Sequence, residues 1–178
     1  MNSKPKKLSN FKNVNILFIT RLYSGFENSL NKKVWKPEGV PTIYKLFNRI
    51  SLNHSLSIIF TAKDSGSTYT SNWNEKKDID VKLKNLKAHI KVLCGTKYFY
   101  GFIPRKLAMI MRDLRQFINI VIYVKKIKPD IVYCDSANIV IAYLLTKIFP
   151  SKPIVVRVLG ICSFWRAITN SKRIVHRI

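Results

Sequence analysis

The chain of 178 residues is long enough for one well-packed domain, and a hydrophobic content of 47% excludes an intrinsically disordered protein. Its 32 Lys and Arg residues against 9 acidic residues give a formal net charge of +23, which favours an anionic partner such as nucleic acid, an anionic membrane or a phosphorylated ligand. The three cysteines are widely spaced and form no C-x-x-C pair, so we expect a reducing cytosol, no disulfide framework and no metal site.

The amino-terminal half alternates apolar runs with polar segments. Residues 1–13 form a polar, basic tail that we expect to be disordered, and 14–20 (VNILFIT) is a continuous apolar run typical of a strand covered on both faces. A long loop containing Gly25 is predicted for 21–38. The elements predicted next, in order, are a helix at 42–52 introduced by Gly39 and Pro41, a second strand at 55–62, a polar, ligand-facing or mobile segment at 63–80 and a third strand at 89–93.

The segment 103–127 predicts a long amphipathic helix. Its cationic end, with Lys125 and Lys126, is followed by Pro129, which is typical of a helix carboxyl terminus. The apolar positions at helical spacing are Leu107, Ile110, Met111, Leu114, Phe117, Ile118 and Val121, and the polar residues on other faces are Arg105, Arg112, Arg115 and Gln116.

The segment 128–160 predicts a strand, a helix and a second strand at 130–134, 137–149 and 153–159. Two strands joined by a helix in so few residues must cross over and run parallel. We therefore predict an α/β, Rossmann-like fold with five strands, a mostly parallel sheet and flanking helices. Ligands of such sheets bind beyond the carboxyl ends of the strands, where the candidate ligand-binding residues Asp135, Ser136, Asn138 and Arg157 and the loop residue Gly160 fall.

These candidates also have structural interpretations. Asp135 or Ser136 is suited to cap the helix that begins at Ala137, and capping is the preferred interpretation. Arg157 interrupts an apolar strand, so it either pairs with Asp130 or Asp135 or points into the ligand cleft. The three histidines, His54, His89 and His176, have no constellation around them and are interpreted as surface or packing residues.

The segments NILFITRLY, GVPTIYKLFNRIS and KPDIVYCDSANIVIAYLLTKIFPSKPIVVRVLG together resemble the amino-terminal half of retaining family-4 glycosyltransferases of the GT-B type. The resemblance runs from about residue 14 to residue 160 and implies one half-domain, 14–178, that binds a glycan acceptor, often lipid-linked. Asp135, Ser136, Asn138 and Arg157 are then the candidates for acceptor binding. A nucleotide sugar would be the co-substrate of the complete enzyme, and this chain would hold no cofactor. The resemblance also assigns Gly25, Gly39 and Gly160 to the loops that line the donor-phosphate cleft.

The chain departs from this family in two places. Leu159 stands where many relatives have a histidine that reaches the transferred sugar, and no E-x7-E pattern for donor binding occurs. We therefore expect the donor-binding domain to be absent, whether as a separate polypeptide or through truncation, and the chain to be inactive alone. No catalytic residue is assigned.

A basic, aromatic-rich surface is the second functional signal. Aromatic side chains beside cations suit the headgroup region of an anionic membrane. The residues of this predicted patch are Tyr98, Phe99, Tyr100, Phe102, Arg105, Lys106, Arg112 and Arg115. The longest apolar stretches are shorter than the roughly 20 residues of a membrane span, so we expect a peripheral protein at the cytoplasmic face of the cell membrane, working in cell-envelope polysaccharide or glycolipid synthesis. The alternatives are a non-catalytic membrane-associated subunit that recruits a catalytic partner, and a nucleic-acid-binding protein, which is disfavoured because no nucleic-acid recognition motif is present.

Overall fold

The strands are β1 (Asn15–Arg21), β2 (Ser55–Thr61), β3 (Ile79–Val81), β4 (Ala88–Leu93), β5 (Ile131–Asp135) and β6 (Ile154–Arg157). They form one sheet in the order β3-β4-β2-β1-β5-β6. The computed structural model describes residues 13–37, 41–63, 73, 75–96 and 103–157. Each neighbouring pair is parallel except β3 and β4, so the predicted α/β, Rossmann-like fold is confirmed.

Helices cover both faces of this sheet. They are α1 (Ser24–Lys32), α2 (Pro41–Asn53), α3 (Arg105–Ile127) and α4 (Ile139–Ile148), and a 3₁₀ turn, Ser136–Asn138, precedes α4. Alternate residues of each strand face opposite helix layers. Phe18, Ile58 and Phe60 pack in the cluster with α1 and α2, whereas Leu17 and Ile59 pack in the cluster with α3 and α4.

Two elements were missed in segments that the sequence predicts to be irregular. Helix α1 lies inside the predicted loop 21–38, and its buried residues Phe26 and Leu30 continue a spacing of four that starts at Leu22, just before the helix. It ends at Lys32, and the next residue, Lys33, has a left-handed φ of 52° and donates its N–H to the Leu30 carbonyl. Strand β3 begins within the predicted polar segment 63–80 and pairs antiparallel to β4 at the sheet edge. A strand of three residues is too short to show a pattern in the sequence, and it forms because it pairs with β4.

Helix α3 is turned opposite to what its apolar pattern indicates. The residues that it buries recur every four positions and include two polar side chains: Ala108, Arg112, Gln116, Ile120 and Val124. Seven large apolar side chains of α3 are instead exposed. All but Met109 lie on the face opposite the buried residues: Leu107, Ile110, Met111, Leu114, Ile118 and Ile122. We call these six residues the outer α3 face. Within the described residues, no helix is both long and apolar enough to cross a membrane.

Candidate functional site at the carboxyl-terminal edge of the sheet

The polar residues of the sheet converge at its carboxyl-terminal edge. The chain passes from β1 to β2 on one side, while β5 pairs with β1 on the other, so the order of connection reverses at β1. Such a reversal is the usual ligand crevice of an open parallel sheet. Thr20, Thr61, Asp135 and Arg157 lie at the ends of four strands there.

Asp135 is the centre of a buried hydrogen-bond network. Its Oδ2 accepts hydrogen bonds from the Thr20 hydroxyl at 2.8 Å and the Arg21 backbone N–H at 2.6 Å, and its Oδ1 accepts one from the Asn138 side-chain amide at 2.8 Å. The Thr61 hydroxyl donates to Asn138 Oδ1 at 3.1 Å. Asp135 is 2% exposed. Oδ2 of Asp135 therefore joins β5 to β1, and Asn138, which is bonded to Oδ1, extends the network to β2.

This arrangement replaces the predicted cap. Neither Asp135 before the 3₁₀ turn nor Asn138 before α4 makes a side-chain capping bond, so the capping prediction is wrong. Asp135 and Asn138 are buried and bonded to each other, while Ser136 is half-buried. The acceptor-binding role of this group stays a prediction, and Ser136 is its more accessible member.

Arg157 stands beside Asp135 in the register of β5 and β6. Both line a cavity of about 10 Å³ with Thr20 and Tyr133, which is room for about one water. Among the described residues, Arg157 has no carboxylate within 4.0 Å, so the predicted pairing with Asp130 or Asp135 is not formed. Its charge nevertheless acts on Tyr133: burial is the main cause that raises the pKa of Tyr133, and Arg157 opposes it.

A group of cations lies along the same edge, beyond β2. Lys63 Nζ lies 2.6 Å from Asp113 Oδ1, and Nε and Nη2 of Arg112 each lie 3.0 Å from that same oxygen. Burial lowers the pKa of Lys63; the hydrogen bond to Asp113 opposes this, while repulsion from Arg112 and Arg21 adds to it. The sequence reasoning missed Lys63 and Asp113. The sequence feature that could have pointed to Lys63 is its place two residues after the apolar strand β2, at the ligand edge of the sheet.

The predicted membrane patch is divided by the structure. Arg105 and Lys106 are exposed, as a membrane patch requires. Arg112 is only 4% exposed and faces the sheet, so the prediction that it belongs to an exposed patch is wrong. Arg115 makes a two-point ion pair with Asp78, whose oxygens also accept the Cys94 N–H and the Asn119 amide. Arg115 therefore ties the β3 segment to α3. Tyr98, Phe99, Tyr100 and Phe102 lie outside the described residues.

The predicted glycine loops are only partly described. Gly25 lies in the first turn of α1 rather than in a loop, which corrects that prediction, while Gly39 and Gly160 lie outside the described residues, as do Leu159 and His176. A cleft of about 580 Å³ lies at the opposite, amino-terminal edge and is lined by residues that include His54 and His89. His54 Nδ1 accepts a long 3.4 Å hydrogen bond from the Val14 N–H, so it packs against the start of β1.

The two described cysteines make stability sensitive to alkaline pH. Burial raises the pKa of Cys134 to about 12 and that of Cys94 to about 11. A raised thiol pKa stabilises the fold below the unfolded pKa of roughly 8.5 and loses that effect as pH rises through the folded value. We expect the urea midpoint to fall between about pH 9 and pH 12, and to fall less steeply in Cys134→Ala. Parallel pH profiles of the two proteins would contradict this.

Comparison with known proteins identifies no relative, because no protein family, no curated protein and no solved structure matches this chain. In the described residues, no group of three or more His, Cys, Asp or Glu side chains is placed to hold a metal ion. The site is therefore interpreted from its own geometry.

Proposed function

We propose that this chain is the acceptor-binding half of a glycosyltransferase that transfers a sugar from a nucleotide sugar to a lipid-linked glycan, at the cytoplasmic face of an anionic membrane. The resemblance in sequence supports the reaction class, and the polar carboxyl edge of a parallel sheet supports ligand binding there. The observation that carries the membrane part is the outer α3 face.

The outer α3 face has the two properties that interfacial binding needs. Its apolar side chains are strongly exposed, with Ile110 at 64% and Leu114 at 57%. Cations flank the outer α3 face at both ends of the helix, where Arg105, Lys106, Lys125 and Lys126 are exposed. The apolar side chains enter the headgroup region, and each cation near an anionic leaflet adds about 1 kcal/mol.

Helix α4 lies on the same side of the sheet and also exposes apolar side chains. Both helices pack on the cluster that contains Ile19 and Val132. The exposed side chains of α4 are Ile139, Val140, Tyr143, Leu144 and Ile148. Soluble monomers rarely leave large contiguous apolar patches uncovered, so a membrane contact shared by α3 and α4 accounts for the exposure of both helices.

Co-sedimentation with lipid vesicles tests the membrane part. We expect binding to vesicles that contain phosphatidylglycerol, and a loss of more than about tenfold in the double variant Leu114→Glu, Ile118→Glu, because two anchoring side chains become anionic. The matched control is Leu52→Glu, since Leu52 is 77% exposed on α2, across the sheet. Equal binding of both variants, or equal binding to neutral phosphatidylcholine vesicles, would contradict the membrane contact.

Glycan recognition is tested separately on the same vesicles. We expect vesicles doped with a polyprenyl-diphosphate sugar to bind more tightly than vesicles doped with the polyprenyl phosphate alone. Replacing Arg157 with Gln is expected to remove most of this difference, because Arg157 is partly exposed at the carboxyl edge. Identical binding of both vesicle types would reject glycan binding while leaving the membrane contact intact.

A further inference from the structure

The cation group beyond β2 has more positive charge than the described residues around it neutralise. Lys63 and Arg112 share one carboxylate oxygen, Oδ1 of Asp113. Their side chains are only 15% and 5% exposed, whereas the Asp113 side chain is 51% exposed. Two largely buried cations on one half-exposed carboxylate leave a net positive charge where desolvation makes that charge costly.

The donors of these cations are also incompletely used. Lys63 and Arg112 bond only Asp113 among the described residues, and the Nη1 group of Arg112 has no hydrogen-bond partner there. Ammonium and guanidinium groups carry several N–H donors each, and a guanidinium matches the oxygens of a phosphate. Arg21 lies near enough to Lys63 to repel its charge. It therefore strengthens the positive potential around Lys63 and Arg112.

The position of the cluster is fixed by the fold. Lys63 follows the carboxyl end of β2, and the neighbouring Ala62 carbonyl accepts a hydrogen bond from Gln116, one turn along α3 from Arg112. The same Gln116 amide also bonds the Cys94 carbonyl at the end of β4. The two cations therefore stand on a strand end and a helix that are bonded to each other, which is the preorganisation that an anion site needs.

We propose that Lys63 and Arg112 form a binding site for a phosphate group, which Asp113 occupies in the absence of ligand. The exposed Asp113 carboxylate turns aside, and the phosphate oxygens take its place on both cations. A free diphosphate and a phospholipid headgroup both offer this chemistry. The site stands independently of glycan transfer and of the outer α3 face.

Calorimetric titration of the full chain with inorganic pyrophosphate at low salt tests the site. We expect Lys63→Gln to bind roughly tenfold more weakly, because one charge-assisted contact is lost. Asp113→Asn is expected to bind more tightly, by roughly a factor of ten, because the competing carboxylate is neutralised. The matched control for non-specific attraction by the charge of +23 is Lys45→Gln, since Lys45 is exposed on α2, across the sheet.

The result for Asp113→Asn separates ligand binding from a structural ion pair. If the three side chains only stabilise the fold, Asp113→Asn gains no affinity and Lys63→Gln behaves like Lys45→Gln, which would overturn the proposal. Circular dichroism establishes that each variant is folded. Vesicles of phosphatidic acid form the second arm: a loss in Lys63→Gln confined to these vesicles assigns the site to a lipid headgroup, and a loss confined to pyrophosphate assigns it to a soluble phosphate.

Discussion

Replacing Asp135 with Ala is expected to lower the free energy of unfolding by about 3–5 kcal/mol. The Thr20 hydroxyl, the Arg21 N–H and the Asn138 amide all donate to this carboxylate. Removing it leaves these donors without their acceptor in a region that excludes water, and each unpaired buried group costs about 1–3 kcal/mol. The loss should also loosen the contact between β1 and β5.

Urea denaturation of the two proteins measures this difference. The matched control is Asp80→Ala, because the Asp80 side chain is 77% exposed and lies 3.5 Å from Lys91. A surface pair of that kind contributes about 0–1 kcal/mol. If Asp135→Ala and Asp80→Ala unfold at the same urea concentration, the network does not stabilise the fold and Asp135 is free to serve a ligand.

Phe26→Ala is the second variant for which we expect a large effect, a destabilisation of about 3–5 kcal/mol. Phe26 is fully buried, and its ring centroid lies 4.9 Å from that of Phe60 and 5.8 Å from that of Trp35. Truncation removes apolar contacts and leaves a cavity that these rings cannot fill by small shifts.

Thermal or chemical unfolding checks this value against Leu52→Ala, whose exposed side chain should change stability by less than about 0.5 kcal/mol. A small effect at Phe26 would mean that α1 does not anchor the sheet. It would also remove the physical reason for a helix in a segment otherwise rich in polar residues.

Local patterns predicted the elements that rest on continuous apolar runs or clear helix ends. The run from residue 14 to residue 20 corresponds to β1, and Pro41 and Pro129 mark a helix start and a helix end. Helix α1 was not predicted because its buried apolar face consists of Phe26 and Leu30, with Leu22 one turn before the helix. That spacing of four is detectable, but the glycine and polar residues between them outweighed it.

The candidate site could be located from the sequence but its chemistry could not. The order of elements places Asp135 at the ligand edge, whereas its partner Thr20 is 115 positions away and Thr61 is 77 positions from Asn138. The orientation of α3 was also beyond local prediction, because Gln116 faces the sheet to satisfy the Ala62 and Cys94 carbonyls. Long-range hydrogen bonding decides both features.

The place of β1 in the sheet has a consequence for synthesis of the chain. Ile16 pairs with Leu56 on one side but with Ile131 on the other. During translation, one edge of this inner strand therefore stays unpaired until more than a hundred further residues have been made. Pairings of such long separation fold slowly and expose strand edges in the meantime. A nascent chain arrested on the ribosome before β5 is made is expected to aggregate or to bind chaperones. A chain long enough for β5 to have left the ribosome can complete the sheet, so it is expected to do neither.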